Sequence, residues 1–213
     1  MCENKAVVLP DGKGSVNRDL WLEPATAHGH FHAGEEVLVN IYRGYNMKPF
    51  SESSVLGIEA FCLCNQNLSS IAIIEHNHEM AINLGEVPEG LMQLYVQELT
   101  EATHYYGKIV LEIGHHHHQA LEPLGLPLEL TPADNNHARM GAQYEVQVLK
   151  NGQPVSGAEV RITYANTSNP DYPHKLTSNA QGRIQVFMSA PGNYLFSVFA
   201  KNVISTLTVV KSF

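Results

Sequence analysis

Short apolar runs separated by turn residues dominate this sequence, and the 3.6-residue period of amphipathic helices is nearly absent. In EEVLVNIYRGY, the side chains of Val37, Val39 and Ile41 alternate with more polar positions, as they do along a half-buried strand. GLMQLYVQEL and YYGKIVLEIG are later runs of the same kind, and Gly, Pro, Asn and Asp bound such runs throughout the chain. The pattern predicts an all-β fold.

The second half of the chain shows the strand-and-turn pattern most clearly. AQYEVQVLKNGQPVSGAEVRITYA places Asn151 and Gly152 between two alternating runs, which is the strongest short-range hairpin signal. Further turns are expected at Gly157 and Gly182. Turns that recur about every 8 to 12 residues in an all-β chain are typical of β-sandwiches. The sequence therefore predicts two sandwiches in tandem.

The predicted organisation has four parts. Residues 17–119 form a first, histidine-rich sandwich and residues 137–213 a second one. Between them, residues 120–136 contain three prolines and are interpreted as a Pro-rich linker. Residues 1–16 form an N-terminal arm with a short apolar run, AVVL, at residues 6–9. The arm has two interpretations: a flexible tail, or a strand that adds to a sheet edge in its own molecule or a neighbour's.

Charge and hydropathy exclude several classes of function. The formal net charge is −8 over 213 residues, whereas nucleic-acid binding requires a basic face. No apolar run approaches the roughly 20 residues that a transmembrane helix needs, and no basic-then-apolar leader opens the chain. The lack of a leader has two interpretations: a cytoplasmic protein, or a mature exported form from which the leader was removed.

The three cysteines give no disulfide framework. Cys62 and Cys64 point to the same face of one predicted strand, where they are poorly placed to bridge each other. Inert buried thiols are the favoured interpretation of this pair over soft metal ligands. Cys2 stands where a lipid-anchored exported protein carries its modified cysteine, so it is compatible with export.

Histidine usage is the most unusual feature of the composition, since nine of the twelve histidines fall in three clusters of the first predicted sandwich. Imidazole nitrogen suits nickel, cobalt, copper and zinc, and neighbouring carboxylates extend the set of ligands. The candidate metal ligands are His28, His30 and His32 in AHGHFHAG, His76, His78, Glu75 and Glu79 in EHNHE, and His115, His116, His117 and His118 in GHHHHQ.

Strand geometry limits what each cluster can do alone. Histidines of a His-x-His strand, such as His76 and His78, lie about 7 Å apart on one face, so two rings can share one ion. The row of three in AHGHFHAG fits tetrahedral or octahedral coordination poorly and needs a partner group from another cluster. The run of four histidines is typical of an adaptable chelator of low selectivity. A second interpretation of the clusters is a pH response, because protonated imidazoles repel each other at about pH 6.

Catalytic motifs are missing from the sequence. We find no Gly-x-Ser-x-Gly elbow, phosphate-binding loop, dinucleotide fingerprint or His-Glu-x-x-His helix. The carboxylates are scattered, with no paired acid and base in a recognisable setting. We therefore expect a protein that is not an enzyme.

The segment RDLWLEPATAHGHFHAGEEVLVNI resembles the opening of an exported family, domain-of-unknown-function family 4198, whose members typically begin with His-Asp-Leu-Trp-Leu-Glu-Pro. PLGLPLELTP is similar to the inter-domain segment of that family, and VQVLKNGQPVSGAEVRI resembles its second, immunoglobulin-like domain. One position departs from the pattern, because Arg18 stands where the family has its histidine.

The resemblance implies two tandem immunoglobulin-like β-sandwich domains and an extracytoplasmic location, periplasmic or on the cell surface. It also implies transition-metal handling as an accessory of nickel or cobalt uptake. With the histidine clusters, it predicts a divalent transition metal (Ni, Co, Cu or Zn) as cofactor, and the metal ion and membrane transporter components as partners. The competing hypothesis is a structural surface or filament module that assembles with copies of itself through edge strands, with histidine clusters bridging the subunits.

Overall fold

The structure is a computed structural model that describes residues 18–26, 31–51, 57–64, 67–114, 121–132 and 138–210. All regular secondary structure in these ranges is β-strand, which confirms the all-β prediction. The same ranges contain no helix of the length and apolarity needed to cross a membrane. The seventeen described strands belong to three sheets.

The largest sheet, here called the central sheet, spans both halves of the described chain. Its eight strands, in the order in which they neighbour each other, are β14 (His174–Thr177), β13 (Glu159–Tyr164), β16 (Tyr194–Ala200), β17 (Val203–Val209), β9 (His104–Ile113), β8 (Gly90–Leu99), β4 (Ile58–Cys64) and β5 (Asn67–Ile71). These neighbours are antiparallel except β17 and β9, which pair in parallel. The parallel pair joins the N-terminal and C-terminal halves in one hydrogen-bonded sheet.

Two smaller sheets pack on the central sheet. The front sheet consists of β1 (Asp19–Pro24), β2 (Glu36–Tyr45), β7 (Glu79–Glu86) and β6 (Ile73–His76) in that order, with β3 (Lys48–Pro49) beside β2. The rear sheet consists of β10 (Glu129–Pro132), β11 (Gln143–Lys150), β12 (Gln153–Pro154) and β15 (Arg183–Phe187), with β11 paired to the other three.

The front and rear sheets cover opposite faces of the central sheet. Along β17, Ile204 packs into the core under the front sheet, whereas Leu207 and Val209 pack into the core under the rear sheet. Because successive side chains of a strand point to opposite faces, the even-numbered and odd-numbered residues of β17 pack into different cores. Two β-sandwiches therefore share one sheet and lie on opposite sides of it.

The segment interpreted as a linker is packed and partly a strand where it is described. Leu126 packs with Tyr95 and Tyr106 on the face of the central sheet that the front sheet leaves uncovered. Residues 129–132 form β10 of the rear sheet. Hydrophobic side chains between the prolines account for this packing, since Leu126, Leu128 and Leu130 are all buried. The predicted domain boundaries themselves stay a prediction.

Strand β1 lies across the parallel pair of β9 and β17. The backbone oxygen of Leu20 accepts a 2.6 Å hydrogen bond from Thr206 Oγ1. A Cβ added to Gly107, the register partner of Thr206, would lie 2.6 Å from the same oxygen. The front sheet can therefore approach the central sheet this closely only because residue 107 has no side chain.

Candidate functional site

The chain segments that lead into two of the three histidine clusters meet at the end of β9. Phe31 and Ile113 form a parallel β-bridge, and the backbone N–H of Gly114 donates a 2.8 Å hydrogen bond to the oxygen of Phe31. Phe31 is 1% exposed and anchors this contact in the core under the front sheet. Six candidate ligands lie outside the described residues: His28, His30, His115, His116, His117 and His118. In the sequence, His30 directly precedes Phe31 and His115 directly follows Gly114.

Carboxylates lie at the same end of the front sandwich. Glu35 Oε2 accepts a 2.9 Å hydrogen bond from the backbone N–H of His32, whose side chain is exposed. Glu89 lies against Gly114, since a Cβ added to that glycine would be 2.9 Å from Glu89 Oε1. Imidazole and carboxylate ligands together suit divalent transition metals. We call this region, defined by the Phe31–Gly114 contact with His32, Glu35 and Glu89, the Phe31 end.

The third histidine cluster forms a tight hairpin between β6 and β7. Asn77 and His78 have positive φ angles of 50° and 65°, as the central residues of a type I′ turn do. The side chain of His78 is 98% exposed, and its Nδ1 lies 3.7 Å from Glu75 Oε1. EHNHE is therefore a chain reversal, and not the straight strand that would place His76 and His78 on one face. His76 instead pairs with Glu79 across the hairpin.

The hairpin lies at the opposite end of the front sandwich from the Phe31 end. Strand β7 starts beside the turn and ends at Glu86, which pairs with Glu36, four residues after His32. Its eight residues extend over about 23 Å at a rise of roughly 3.3 Å per residue, too far for one ion to be shared. Among the residues that the structure describes, no three His, Cys, Asp or Glu side chains are grouped to hold a metal ion. The metal ligands stay a prediction.

Beside the hairpin, two carboxylates share a half-buried patch of the front sheet. Glu79 Oε2 accepts a 2.7 Å hydrogen bond from Tyr42 OH, and Glu23 Oε1 accepts one of 2.7 Å from Trp21 Nε1. Burial raises the pKa of Glu23; hydrogen bonds from Trp21 and Asn193 oppose the rise, and the charge of Glu79 adds to it. Glu23 therefore takes up a proton at higher pH in the folded protein than in the unfolded chain.

The D-L-W-L-E-P strand carries a buried polar network that the sequence did not reveal. Asp19 is 0% exposed, and its carboxylate accepts hydrogen bonds from Tyr172 OH and, at 2.7 Å, from Ser197 Oγ. Arg161 NH2 lies 3.8 Å from Asp19 Oδ1, and the guanidinium of Arg161 lies over the Tyr172 ring. The motif therefore ties the front sheet to the C-terminal half of the central sheet.

Sequence reasoning missed Glu89 and Asp19 for different reasons. The β8–β9 hairpin pairs Gly90 with Ile113, and one step further this register sets Glu89 opposite Gly114. The register of these two predicted strands can be counted from the turn that joins them. That count would have predicted that Glu89 lies opposite Gly114. No local signal places Asp19 beside Tyr172, because 153 positions separate them in the chain.

Comparison with known proteins gives a family. A family described as a domain of unknown function (DUF4198) matches residues 70–202, more than half of the chain. The chain belongs to the DUF4198 family. The matched part includes the EHNHE hairpin and positions 115–118, whereas the D-L-W-L-E-P strand of this DUF4198 protein precedes it.

Solved structures similar to this DUF4198 protein match it at low sequence identity and low TM-score. The D0-D1 domain of intimin is 12% identical with a TM-score of 0.28, over 90% of this chain and 97% of that one. A chimeric titin Z1Z2 is 10% identical with a TM-score of 0.28, over 90% of this chain and 97% of the titin chain. The α-2-macroglobulin of Escherichia coli is 9% identical with a TM-score of 0.33, over 92% of this chain and 16% of that one. The all-β class that the sequence predicts is confirmed by the strands of the described residues themselves. No curated protein matches the chain.

Proposed function

We propose that this DUF4198 protein is an extracytoplasmic protein that binds a divalent transition metal, and that it is not an enzyme. The observation that carries the proposal is the backbone contact between Phe31 and Gly114. It joins the two segments that continue into residues 28–32 and 115–118. Three histidines at alternate positions need a partner group from elsewhere, and the adjoining segment supplies candidates for that group.

The described groups at the Phe31 end support the same chemistry. His32 is exposed there, and Glu35 and Glu89 are carboxylates at the same end of the front sandwich. A mixed set of this kind suits nickel, cobalt, copper or zinc. Metal binding requires neutral imidazole, so the affinity falls as the pH drops below about 6.

For the biological role of this binding, we propose an accessory function in nickel or cobalt uptake, with the ion passed to membrane transporter components. The resemblance to the DUF4198 family supports this role. A site at one end of a sandwich also suits transfer, because a partner can reach exposed ligands such as His32 without opening the core.

Isothermal titration calorimetry with Ni²⁺, Co²⁺, Cu²⁺ and Zn²⁺ at pH 7.5 and pH 5.5 tests the proposal. We expect stoichiometric binding at pH 7.5 that is lost at pH 5.5. Replacing the histidines at 28, 30 and 32 with alanine, or those at 115 to 118, should each weaken binding at least tenfold, because the proposed site takes ligands from both clusters.

The double variant His76→Ala/His78→Ala is the matched control, because the hairpin lies at the other end of the sandwich. It should bind metal as the unmodified protein does. An affinity no higher than that of a free four-histidine peptide, or an equal loss in the hairpin variant, would overturn the proposed site. Thermal unfolding of each variant separates lost ligands from lost folding.

A further inference from the structure

The side of the front sandwich farthest from β1 has an open strand edge. Strand β5 pairs with residues 60–64 of β4 and with no earlier residue of that strand. Ile58 and Glu59, the first two residues of β4, pair with β8 on one side, and no described strand pairs with them on the other. After β5 the chain passes to β6 in the front sheet through one residue, Ala72. Among the described residues, no strand therefore pairs with the outer edge of β4 at its start.

A groove of about 350 Å³, lined by both apolar and polar residues, runs along this edge. Ile58, Ala60, Ile71 and Ile73 line it, and all four belong to or pack against the core under the front sheet. Glu59 also lines the groove, and its side chain is exposed. Apolar side chains beside unpaired strand backbone are what an added β-strand requires.

The described chain begins at Arg18, whose side chain reaches the strand next to β4. Arg18 NH2 forms a 2.5 Å ion pair with Glu98 Oε1, and the guanidinium lies 4.4 Å from the centroid of the Tyr105 ring. Glu98 is the register partner of Ile58. The side chain of Arg18 is thus held by β8, the strand next to β4, at the residue that pairs with Ile58.

The sequence of the arm fits the groove, although residues 1–17 lie outside the described residues. Residues 6–9, AVVL, are uncharged and include two β-branched valines, which favour strand. Residues 10–17, PDGKGSVN, are a turn-rich tether that spans up to about 26 Å when extended. Lys5 immediately precedes the apolar run and is opposite in charge to Glu59.

We propose that residues 6–9 bind in the groove of their own molecule as an added β-strand beside Ile58 and Glu59. The strand closes the open side of the front sandwich. The short tether from Arg18 favours the molecule's own arm over a neighbour's, because it holds the segment at high effective concentration. This contact is independent of the histidines and of metal binding.

Site-specific photo-cross-linking of the full chain tests the contact. Benzoylphenylalanine is introduced at Val7 or at Val8 in separate proteins, because neighbouring strand residues face opposite sides. Each protein is irradiated as an equal mixture of ¹⁵N-labelled and unlabelled molecules, and the cross-linked peptides are mapped by mass spectrometry. We expect cross-links to residues 58–61 and 70–73 within molecules of one label. Cross-links between differently labelled molecules, cross-links elsewhere, or none at all would each overturn the proposal.

Hydrogen exchange supplies a second measurement that needs no cross-linker. Val8→Asp should expel the arm and speed exchange at the groove-facing amide of residues 58–59 at least tenfold, whereas Ser15→Asp in the tether should leave it unchanged. Exchange in the rear strand β11 serves as the internal control for folding. Equal exchange at residues 58–59 in both variants and in the unmodified protein contradicts strand addition.

Discussion

Lys108 of β9 and Glu129 of β10 form an ion pair in which Nζ lies 2.6 Å from Oε1 and both side chains are 1% exposed. The backbone N–H groups of Leu124 and Gly125 donate hydrogen bonds of 2.9 and 3.0 Å to the same carboxylate. Burial lowers the pKa of Lys108, and the negative charge of Glu129 opposes that effect. The pair thus connects the N-terminal half of the central sheet to the first strand of the rear sheet.

Removing one charge of this pair should be far more costly than removing both. Lys108→Met leaves the Glu129 carboxylate buried without its counter-ion, and we expect a loss of about 3–5 kcal/mol in the free energy of unfolding. Lys108→Met/Glu129→Gln keeps an acceptor for the backbone N–H groups and should recover part of that loss. Urea denaturation measures both variants. If the double variant is less stable than the single one, the burial of an unpaired charge is not the cause.

The approach of β1 to the central sheet predicts a steric effect at Gly107. In Gly107→Ala, the new Cβ would meet the backbone of Leu20 at 2.6 Å, so β1 must shift outward. We expect a loss of about 1–3 kcal/mol, as for overpacked cores. Thr206→Val removes the hydrogen bond to the same oxygen without changing shape and should cost about 0.5–1.5 kcal/mol. Thermal unfolding that is unchanged in Gly107→Ala would contradict this close approach.

The Asp19 network predicts strong dependence on one buried carboxylate. Asp19→Ala leaves the guanidinium of Arg161 and the hydroxyl of Tyr172 without their shared partner, and we expect a loss of about 2–5 kcal/mol. Asp171→Ala is the matched control, since Asp171 accepts a hydrogen bond from Tyr45 but its side chain is 50% exposed. Asp171→Ala should lower the free energy of unfolding by no more than about 1 kcal/mol. Denaturant midpoints that rank the two variants in the reverse order would rule out the network as a stabilising element.

The raised pKa of Glu23 predicts the sign of a pH effect. The folded state binds this proton more tightly than the unfolded chain, so the contribution of Glu23 to stability is present below its ordinary pKa of 4.5. It is lost as the pH rises through the folded pKa. Glu23→Gln removes this titration, and its stability relative to the unmodified protein should therefore increase between pH 4.5 and pH 7. The measurement is urea denaturation across that range, and a constant difference would contradict the prediction.

Local patterns were enough to predict the strands and their class. Val37, Val39 and Ile41 alternate along β2 and are all buried in the core. Asn151 and Gly152 turn the chain between β11 and β12, as the dipeptide indicated. Both signals depend on neighbours within a few residues, because side-chain alternation and positive φ are properties of the local backbone. The same is true of the histidine clusters, which are visible from composition alone.

The sequence by itself thus determined the all-β class, most strand positions and the unusual supply of histidines. Only the tertiary structure decided which distant segments meet. It paired β17 with β9 in parallel, set the two cores on opposite faces of one sheet, and brought Phe31 to Gly114 while leaving the EHNHE hairpin at the other end. These contacts join residues tens of positions apart, and they depend on how whole sheets register and pack. No local period encodes that packing.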